Sequence, residues 1–237
     1  MTADRPPLAE GIPDRLYGRR RGHPLRPRQQ RLLDETLPRL RLQPADAADP
    51  RAGFAVPVRA LWLEVGFGGG EHSLAQVAAN PDVGYIASEV FENGLCSLLS
   101  RLVAEGAEAD GPLPGNLRIW PQDARHLLGL LPAASLDRLF LLFPDPWPKS
   151  RHAKRRFVNP SMLPLVARVL RPGGEWRIAS DDPTYQDWVR EVFAGSALFT
   201  VPEAATTRPA GWPPTRYEAK ALREGRQPLY WSLTRCE

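Results

Sequence analysis

The stretch Ala60-Leu61-Trp62-Leu63-Glu64-Val65-Gly66-Phe67-Gly68-Gly69-Gly70 decides the fold. Its first six residues read as a buried β-strand, and the glycine-rich segment that follows ends it. A helix is expected from about Glu71 to Asn80. Glycine reaches φ > 0 without strain and lets a ligand approach the backbone closely, although a simple tight turn has the same composition. One strand later, Tyr85-Ile86-Ala87-Ser88-Glu89 ends in a carboxylate, as expected of a group that binds ribose hydroxyls. Strand, turn, helix, strand and acid in this order predict an α/β fold with a ligand at the glycine turn.

What is missing narrows the ligand. The dinucleotide fingerprint G-x-G-x-x-G needs a third glycine where the helix packs on the strand; counted from Gly66 and Gly68, that position is Glu71. The pyrophosphate reading weakens, and the chain has no Gly-Lys-Ser/Thr for a mononucleotide loop. Glu64, just before the turn, repels a phosphate but suits an ammonium group. A ligand with a nucleoside at one end and an amino acid at the other fits: S-adenosylmethionine, with Gly66, Gly68 and Gly70 as the backbone contacts. Asn116-Leu117-Arg118-Ile119-Trp120 predicts a third strand, followed by Gln122-Asp123-Ala124. Asp123 either accepts a hydrogen bond from the exocyclic amine of adenine or caps a helix at about 124–131. Its place in the series Glu64, Gly66–Gly70, Glu89, Asp123, each after a predicted strand, favours the ligand. Open α/β sheets bind ligands at the carboxyl ends of their strands, so these residues are expected on one edge.

The run Leu136–Leu142 reads as a further buried strand, and Phe143-Pro144-Asp145-Pro146-Trp147-Pro148-Lys149 stops it at once. Three prolines restrict their own φ and the residues before them, so Asp145 and Trp147 are expected in a stiff loop. An acid and an indole in rigid backbone at a strand end suggest a pocket for a flat, hydrogen-bonding ligand.

With these motifs the chain resembles the bacterial tRNA (guanine-N7-)-methyltransferase family of class I methyltransferases. The resemblance rests on Phe143–Lys149 with Arg151-His152-Ala153-Lys154-Arg155-Arg156, and extends from Tyr17-Gly18-Arg19-Arg20-Arg21-Gly22 to Thr215-Arg216-Tyr217-Glu218. The Pro-Asp-Pro-Trp-Pro-Lys core is specific, whereas the glycine turn is shared by many methyltransferases. The resemblance implies a Rossmann-like, mostly parallel seven-stranded sheet with helices on both faces and an antiparallel last strand. It implies that Glu64, Glu89 and Asp123 bind S-adenosylmethionine and that Asp145 stands at the catalytic centre, beside the cofactor. Lys149, Asp181 and Thr215, Arg216, Tyr217 and Glu218 would contact a tRNA substrate, with the variable-loop guanosine as target. Asp182 directly follows Asp181, and the residues alone do not choose between them. Ser150 and Ala153 replace more basic or polar family residues, which softens the expected RNA contacts.

The chemistry follows from the atom attacked. Guanine N7 has a lone pair and no proton, so it needs no general base. Transfer from a sulfonium then depends on in-line positioning and on managing charge. A carboxylate accepts hydrogen bonds from the guanine N1 and amino protons and favours the positive charge developing on the purine. Asp145 is the first candidate and Asp181 the second; Trp147 either stacks on the base or walls the pocket. His152, one histidine among five basic residues, reads as a phosphate or water contact. No Ser/His/Asp or metal constellation is evident, so hydrolytic readings have little support and no metal is expected.

Charge agrees with a polyanionic partner. Residues 15–31 hold seven arginines and no acid, and residues 149–156 hold five Lys/Arg and no acid. Residues 208–226 hold five Lys/Arg against Glu218 and Glu224. These 17 basic residues and two acids give +15, and the rest of the chain carries −11. Such segregation favours RNA over a uniformly basic surface. Of 31 basic residues 28 are arginine, which suits planar phosphate contacts and base stacking.

At 237 residues, one α/β domain with short extensions is expected: a basic, partly disordered extension with one helix over residues 1–58, then a methyltransferase domain over 59–237. No stretch approaches the roughly 20 apolar residues of a membrane span. Met1–Pro7 lack a signal-peptide core, and Cys96 and Cys236 form no disulfide framework, so a cytoplasmic protein is expected. Residues 1–27 read as mobile without RNA, and 28–42 as a helix with Leu32, Leu33, Leu37 and Leu40 on one stripe. Residues 43–58 read as a linker. Helices are expected at 91–105, 160–170 and 183–194, a fifth strand at Gly174–Ser180, and an antiparallel pair from Leu198–Val201 and Pro228–Arg235. Two rival functions remain at this level. An amino-group methyltransferase carries Asp/Asn-Pro-Pro-aromatic at the same strand end, and Asp145-Pro146-Trp147 is one proline short of it. A non-catalytic RNA-binding protein on the same scaffold is the other, but it has no need of the cofactor acids that stand here.

Overall fold

The computed structural model describes Leu8 and residues 15–237. The expectations for Met1–Pro7, and part of that for residues 1–27, lie outside the described residues. The strands are β1 (Ala60–Val65), β2 (Val83–Ser88), β3 (Leu117–Trp120), β4 (Leu136–Leu142), β5 (Leu170–Ser180), β6 (Phe199–Thr200) and β7 (Leu229–Arg235). They form one seven-stranded sheet in the order β3-β2-β1-β4-β5-β7-β6. β1 runs parallel to β2, β2 to β3 and β4 to β5, while β7 is antiparallel to both β5 and β6. The mostly parallel sheet with antiparallel last strands is the one expected. The helices are α1 (Pro27–Arg31), α2 (Leu37–Leu40), α3 (Glu71–Ala79), α4 (Glu92–Leu102), α5 (Ala124–Leu130), α6 (Met162–Val169), α7 (Pro183–Phe193) and α8 (Arg216–Arg223). Among the described residues no helix is long and apolar enough to cross a membrane.

Residues 18–132 form one compact unit. All six residues of β2 are buried, as parallel strands covered on both faces should be. The helix expected over 28–42 is present but not uniform. Between α1 and α2, Leu32–Thr36 form a wider π-helical turn in which the Leu37 N–H donates to the Leu32 carbonyl five residues back. Pro38 lacks an N–H and its ring crowds the carbonyl four residues before it, so a widened turn just upstream accommodates it. The apolar stripe shifts accordingly: Leu32, Thr36, Leu37 and Leu40 are buried, whereas Leu33 stays half-buried. The expected helix ends at Leu40, and its last two residues pair with the sheet instead: Arg41 bridges Ile119 in parallel, and Leu42 N–H donates to the Ile119 carbonyl at 2.9 Å. This covers part of the edge that β3 presents. Cys96 is buried on α4, and that burial pushes its thiol up to about 11, so it is packing and not a reactive group.

Residues 133–237, joined by Tyr17, form the second unit. Here β5 starts at Leu170, four residues earlier than expected. Leu170 pairs with Leu136, and the register shifts between Leu136 and Arg138, so the Pro172-Gly173-Gly174 turn is absorbed as an irregularity inside the strand. Gly173, at φ 72°, supplies the left-handed residue that this needs. Trp176 on β5 is fully buried and meets Phe193 and Phe199 at centroid distances of 5.4 and 5.7 Å, which locks α7 and β6 onto the sheet.

Candidate active site

In the first unit the glycines of the turn divide their tasks. Gly66, Gly68 and Gly70 have φ of 74°, 59° and 82°, all in the left-handed region where a side chain is strained. A Cβ on Gly70 would stand 2.7 Å from the Leu98 Cβ, so this glycine lets α3 pack closely against α4. A Cβ on Gly66 would meet nothing within 4 Å. Space therefore opens at the first glycine, where a ligand is expected, and closes at the last.

Glu64, the penultimate residue of β1, has its side chain almost fully buried. Its Oε2 accepts hydrogen bonds from Ser73 and, at 2.7 Å, from the Tyr85 hydroxyl, and lies 3.1 Å from His72 Nδ1. His72 Nε2 in turn lies 3.3 Å from Gln76 Nε2. Burial works against ionisation of Glu64, but His72 and the hydrogen bonds from His72, Ser73 and Tyr85 outweigh it and hold the carboxyl below its usual range. Glu89, just after β2, accepts from the backbone N–H of Gly68 at 2.9 Å, Val90 at 2.8 Å and Phe91 at 3.0 Å. Here burial dominates and the nearby Glu64 charge adds to it, so the Glu89 carboxyl is raised despite its three amide donors. Asp123 follows β3 and caps α5, accepting from the Arg125 N–H at 3.0 Å while both its oxygens take Arg125 Nε at 3.0 Å. The capping role, one of two that the residues allowed, is thus present.

In the second unit, β4 runs into the proline-rich loop. Phe143 and Trp147 adopt φ of 52° and 45°, unusual for residues with large side chains and costing about 1–3 kcal/mol each. The loop is therefore held, not merely stiff. Arg156, only 5% exposed, donates from Nε to the Pro146 carbonyl and from Nη2 to the Trp147 carbonyl, each at 3.0 Å. Asp145 is exposed and, among the described residues, has no hydrogen-bond or ion-pair partner. Trp147 is half-buried, with the Arg155 guanidinium over its ring at 4.9 Å and the His152 ring edge-on at 6.0 Å. Arg155 also lies 5.2 Å from the Tyr17 ring, so it is stacked by two aromatics. Desolvation and the adjacent Arg155, Arg151 and Lys149 hold His152 below the usual histidine range. Lys149 is exposed.

The remaining candidates separate by partner. Asp182 caps α7 through the Tyr185 N–H at 3.0 Å, whereas Asp181 receives Arg226 Nε at 2.6 Å. Thr215 caps α8, accepting from the Glu218 N–H at 3.0 Å. Glu218 is buried against Arg208 at 3.0 Å and the Tyr230 hydroxyl at 2.7 Å. Arg216 and Tyr217 are exposed, the guanidinium lying 4.9 Å from the ring. The basic runs are likewise mixed. Arg28 and Arg31 pair with the buried Glu108 at 3.0 and 3.4 Å, and Arg21 with Glu92 at 3.2 Å, while Arg19 and Arg20 are exposed. The Arg20 carbonyl and Gly22 N–H are bonded to Glu92 and Asn93 at the start of α4, which anchors this segment. Sequence reasoning missed the partners His72, Tyr85, Arg125, Arg156, Arg208 and Arg226. Only the neighbours Asp123 and Arg125 carried a short-range signal.

Comparison with known proteins agrees with these observations. A family model described as "Putative methyltransferase" matches residues 58–230. A tRNA (guanine-N(7)-)-methyltransferase of Granulibacter bethesdensis is 64% identical over 224 residues, covering 94% of this chain and 96% of the relative. One from Rhodospirillum rubrum is 50% identical over 225 residues, covering 91% and 86%. Among solved structures, the 16S rRNA methyltransferase KamB aligns with a TM-score of 0.54 at 20% identity, over 76% of this chain and 89% of that one, a likeness of fold alone. With the acids and glycines described above at the ends of β1 to β5, and with identity this high over nearly its whole length, the chain belongs to the tRNA (guanine-N(7)-)-methyltransferase family.

Proposed function

We propose that this chain moves the methyl group of S-adenosylmethionine to N7 of a guanine in tRNA, the variable-loop guanosine, giving 7-methylguanosine, and that it acts in the cytoplasm. The observation that carries the residue assignment is a contrast among strand-end acids. Glu64, Glu89, Asp123 and Asp181 are each engaged by neighbours, whereas Asp145 stands exposed on a clamped loop.

The residues fit the cofactor. Open space faces Gly66, and a carboxylate has about four acceptor positions, of which Glu89 spends three on backbone amides. The remaining one suits a ribose hydroxyl, and the raised carboxyl of Glu89 benefits from any added donor. The three contacts of Glu64 fall on Oε2, so Oε1 is the oxygen proposed for the amino-acid ammonium. Gly66, Gly68 and Gly70 would line the chain of the ligand. Asp123 would share its acceptors between Arg125 and the adenine amine. Bound there, the cofactor supplies a sulfonium methyl, an electrophile that needs no acid or metal for its release.

Asp145 is proposed as the catalytic carboxylate: it holds the N1 and amino protons of guanine and balances the charge that grows on the purine as N7 is alkylated. Lys149, Arg216 and Tyr217 are exposed and suit phosphate and base contacts. Asp181 is preferred to Asp182 for the substrate, since Asp182 is spent as a cap. Thr215 and Glu218 would act by shaping the start of α8 that presents Arg216 and Tyr217. Incubation with bulk tRNA and labelled methyl donor, followed by nucleoside analysis, tests the reading. 7-Methylguanosine is expected; an amino-methylated nucleoside would support the amino-group rival, and no labelled product the RNA-binding one.

A further inference from the structure

We infer that Arg156 is a positioning residue for the Asp145 loop and not one of the phosphate contacts expected of the basic run 149–156. The inference rests on the catalytic role proposed for Asp145. Its observation is geometric. The Pro146 and Trp147 carbonyls, both bonded to the Arg156 guanidinium at 3.0 Å, belong to the two peptide planes on either side of the Trp147 Cα. Fixing both planes fixes the backbone angles between them, and Trp147 holds φ at 45°, which an indole-bearing residue does not keep unaided. Upstream, the Pro146 ring sets the next φ, so Asp145 is one rotatable bond, the Pro146 ψ, away from a clamped plane.

The clamp is itself clamped. The Arg156 guanidinium lies 4.8 Å from the centre of the Trp188 ring, and Trp188 Nε1 donates to the Val158 carbonyl at 2.6 Å. Asn159 Nδ2 donates to the Arg156 carbonyl at 2.9 Å, and the Arg156 N–H reaches the Ala153 carbonyl at 3.0 Å. A planar fork matches two carbonyls and a ring face together, which a lysine ammonium does not. With 5% of its surface exposed, Arg156 cannot reach an RNA phosphate without giving up these partners. Its exposed neighbour Lys154 can.

The test compares Arg156→Lys and Arg156→Gln with Lys154→Gln in the full-length enzyme. For both Arg156 variants the single-turnover methyl-transfer rate, with tRNA and S-adenosylmethionine saturating, should fall roughly ten- to a hundredfold. The tRNA Kd and its salt slope should stay at wild-type values. Lys154→Gln should instead lower the slope by roughly 0.7–0.9 and leave loop exchange as in wild type. Hydrogen exchange reads the loop without activity: the amides of Asp145, Trp147 and Lys149 should exchange faster in the Arg156 variants. Should these fail to fold, Trp188→Phe, which keeps the ring stack but loses the bond to Val158, should show a smaller change in the same sense. A wild-type rate in Arg156→Lys with unchanged loop exchange, or a lowered salt slope with unchanged loop exchange, overturns the inference. Faster loop exchange with an unchanged transfer rate would instead spare the clamp and remove Asp145 from catalysis.

Discussion

Replacing Asp145 by asparagine keeps the size of the side chain and one acceptor oxygen but removes the charge and adds an NH2 where guanine donors are expected. Because Asp145 is exposed and has no partner among the described residues, nothing in the fold depends on its charge. Unfolding free energy should change by no more than about 0.5 kcal/mol, as for other surface substitutions. If Asp145 holds the base as proposed, losing one charge-assisted contact costs about 2–3 kcal/mol, a rate lower by roughly two orders of magnitude. Phosphate contacts dominate affinity, so tRNA binding should hold. Single-turnover transfer with both substrates saturating isolates the step, and thermal unfolding supplies the control. A stable variant transferring at near wild-type rate would reduce Asp145 to a loop-shaping residue and pass the role to Asp181 or to positioning alone.

Neutralising Arg19, Arg20 and Arg21 together should weaken tRNA binding and flatten its salt dependence while leaving methyl-donor affinity unchanged. The exposed Arg21–Glu92 pair adds little to stability, so an unaltered salt slope would return the segment to an ordinary solvated face. Gly70→Ala should destabilise the fold, through its contact with Leu98, more than Gly66→Ala, whose loss should fall on cofactor binding; equal unfolding midpoints and equal cofactor affinities would contradict the division. Glu89→Gln should alter the pH profile of stability. The folded-state carboxyl is raised, so the folded protein binds more protons than the unfolded chain, and wild-type stability falls as pH rises from about 4.5 upward through the folded value. Urea unfolding across that window should show the fall in wild type and not in the variant, and parallel profiles would remove burial of the charge as its cause.

Strands β1 to β4 were legible because each is a short apolar run closed within two residues by glycine, proline or an acid. β1, β2 and β4 begin or end within two residues of their expected positions for that reason. Where breakers sit inside an element the reading was harder. Pro38 widens a helix without ending it, and Pro172–Gly174 lie within β5 as an irregularity, since tertiary pairing of Leu170 with Leu136 outweighs the local turn signal. The candidate site was legible as a series of acids at strand ends, but their states were not. Glu64 and Glu89 look alike in sequence, yet His72, Ser73 and Tyr85 lower one carboxyl and burial raises the other. Arg155 and Arg156 are neighbours in one basic run, yet one stacks between Tyr17 and Trp147 and the other is buried against main-chain carbonyls. Such differences depend on contacts between residues far apart in the chain, which spacing does not report.

Methylation at N7 places a fixed positive charge on guanine and makes its ring open to borohydride reduction, after which aniline breaks the chain at that nucleotide. Treating an unmodified tRNA transcript with the enzyme and S-adenosylmethionine, then with these two reagents, reads both the atom and the position. Scission at one variable-loop guanosine, absent without the methyl donor, is the predicted result. Methyl incorporation without scission, or scission elsewhere in the tRNA, would contradict it.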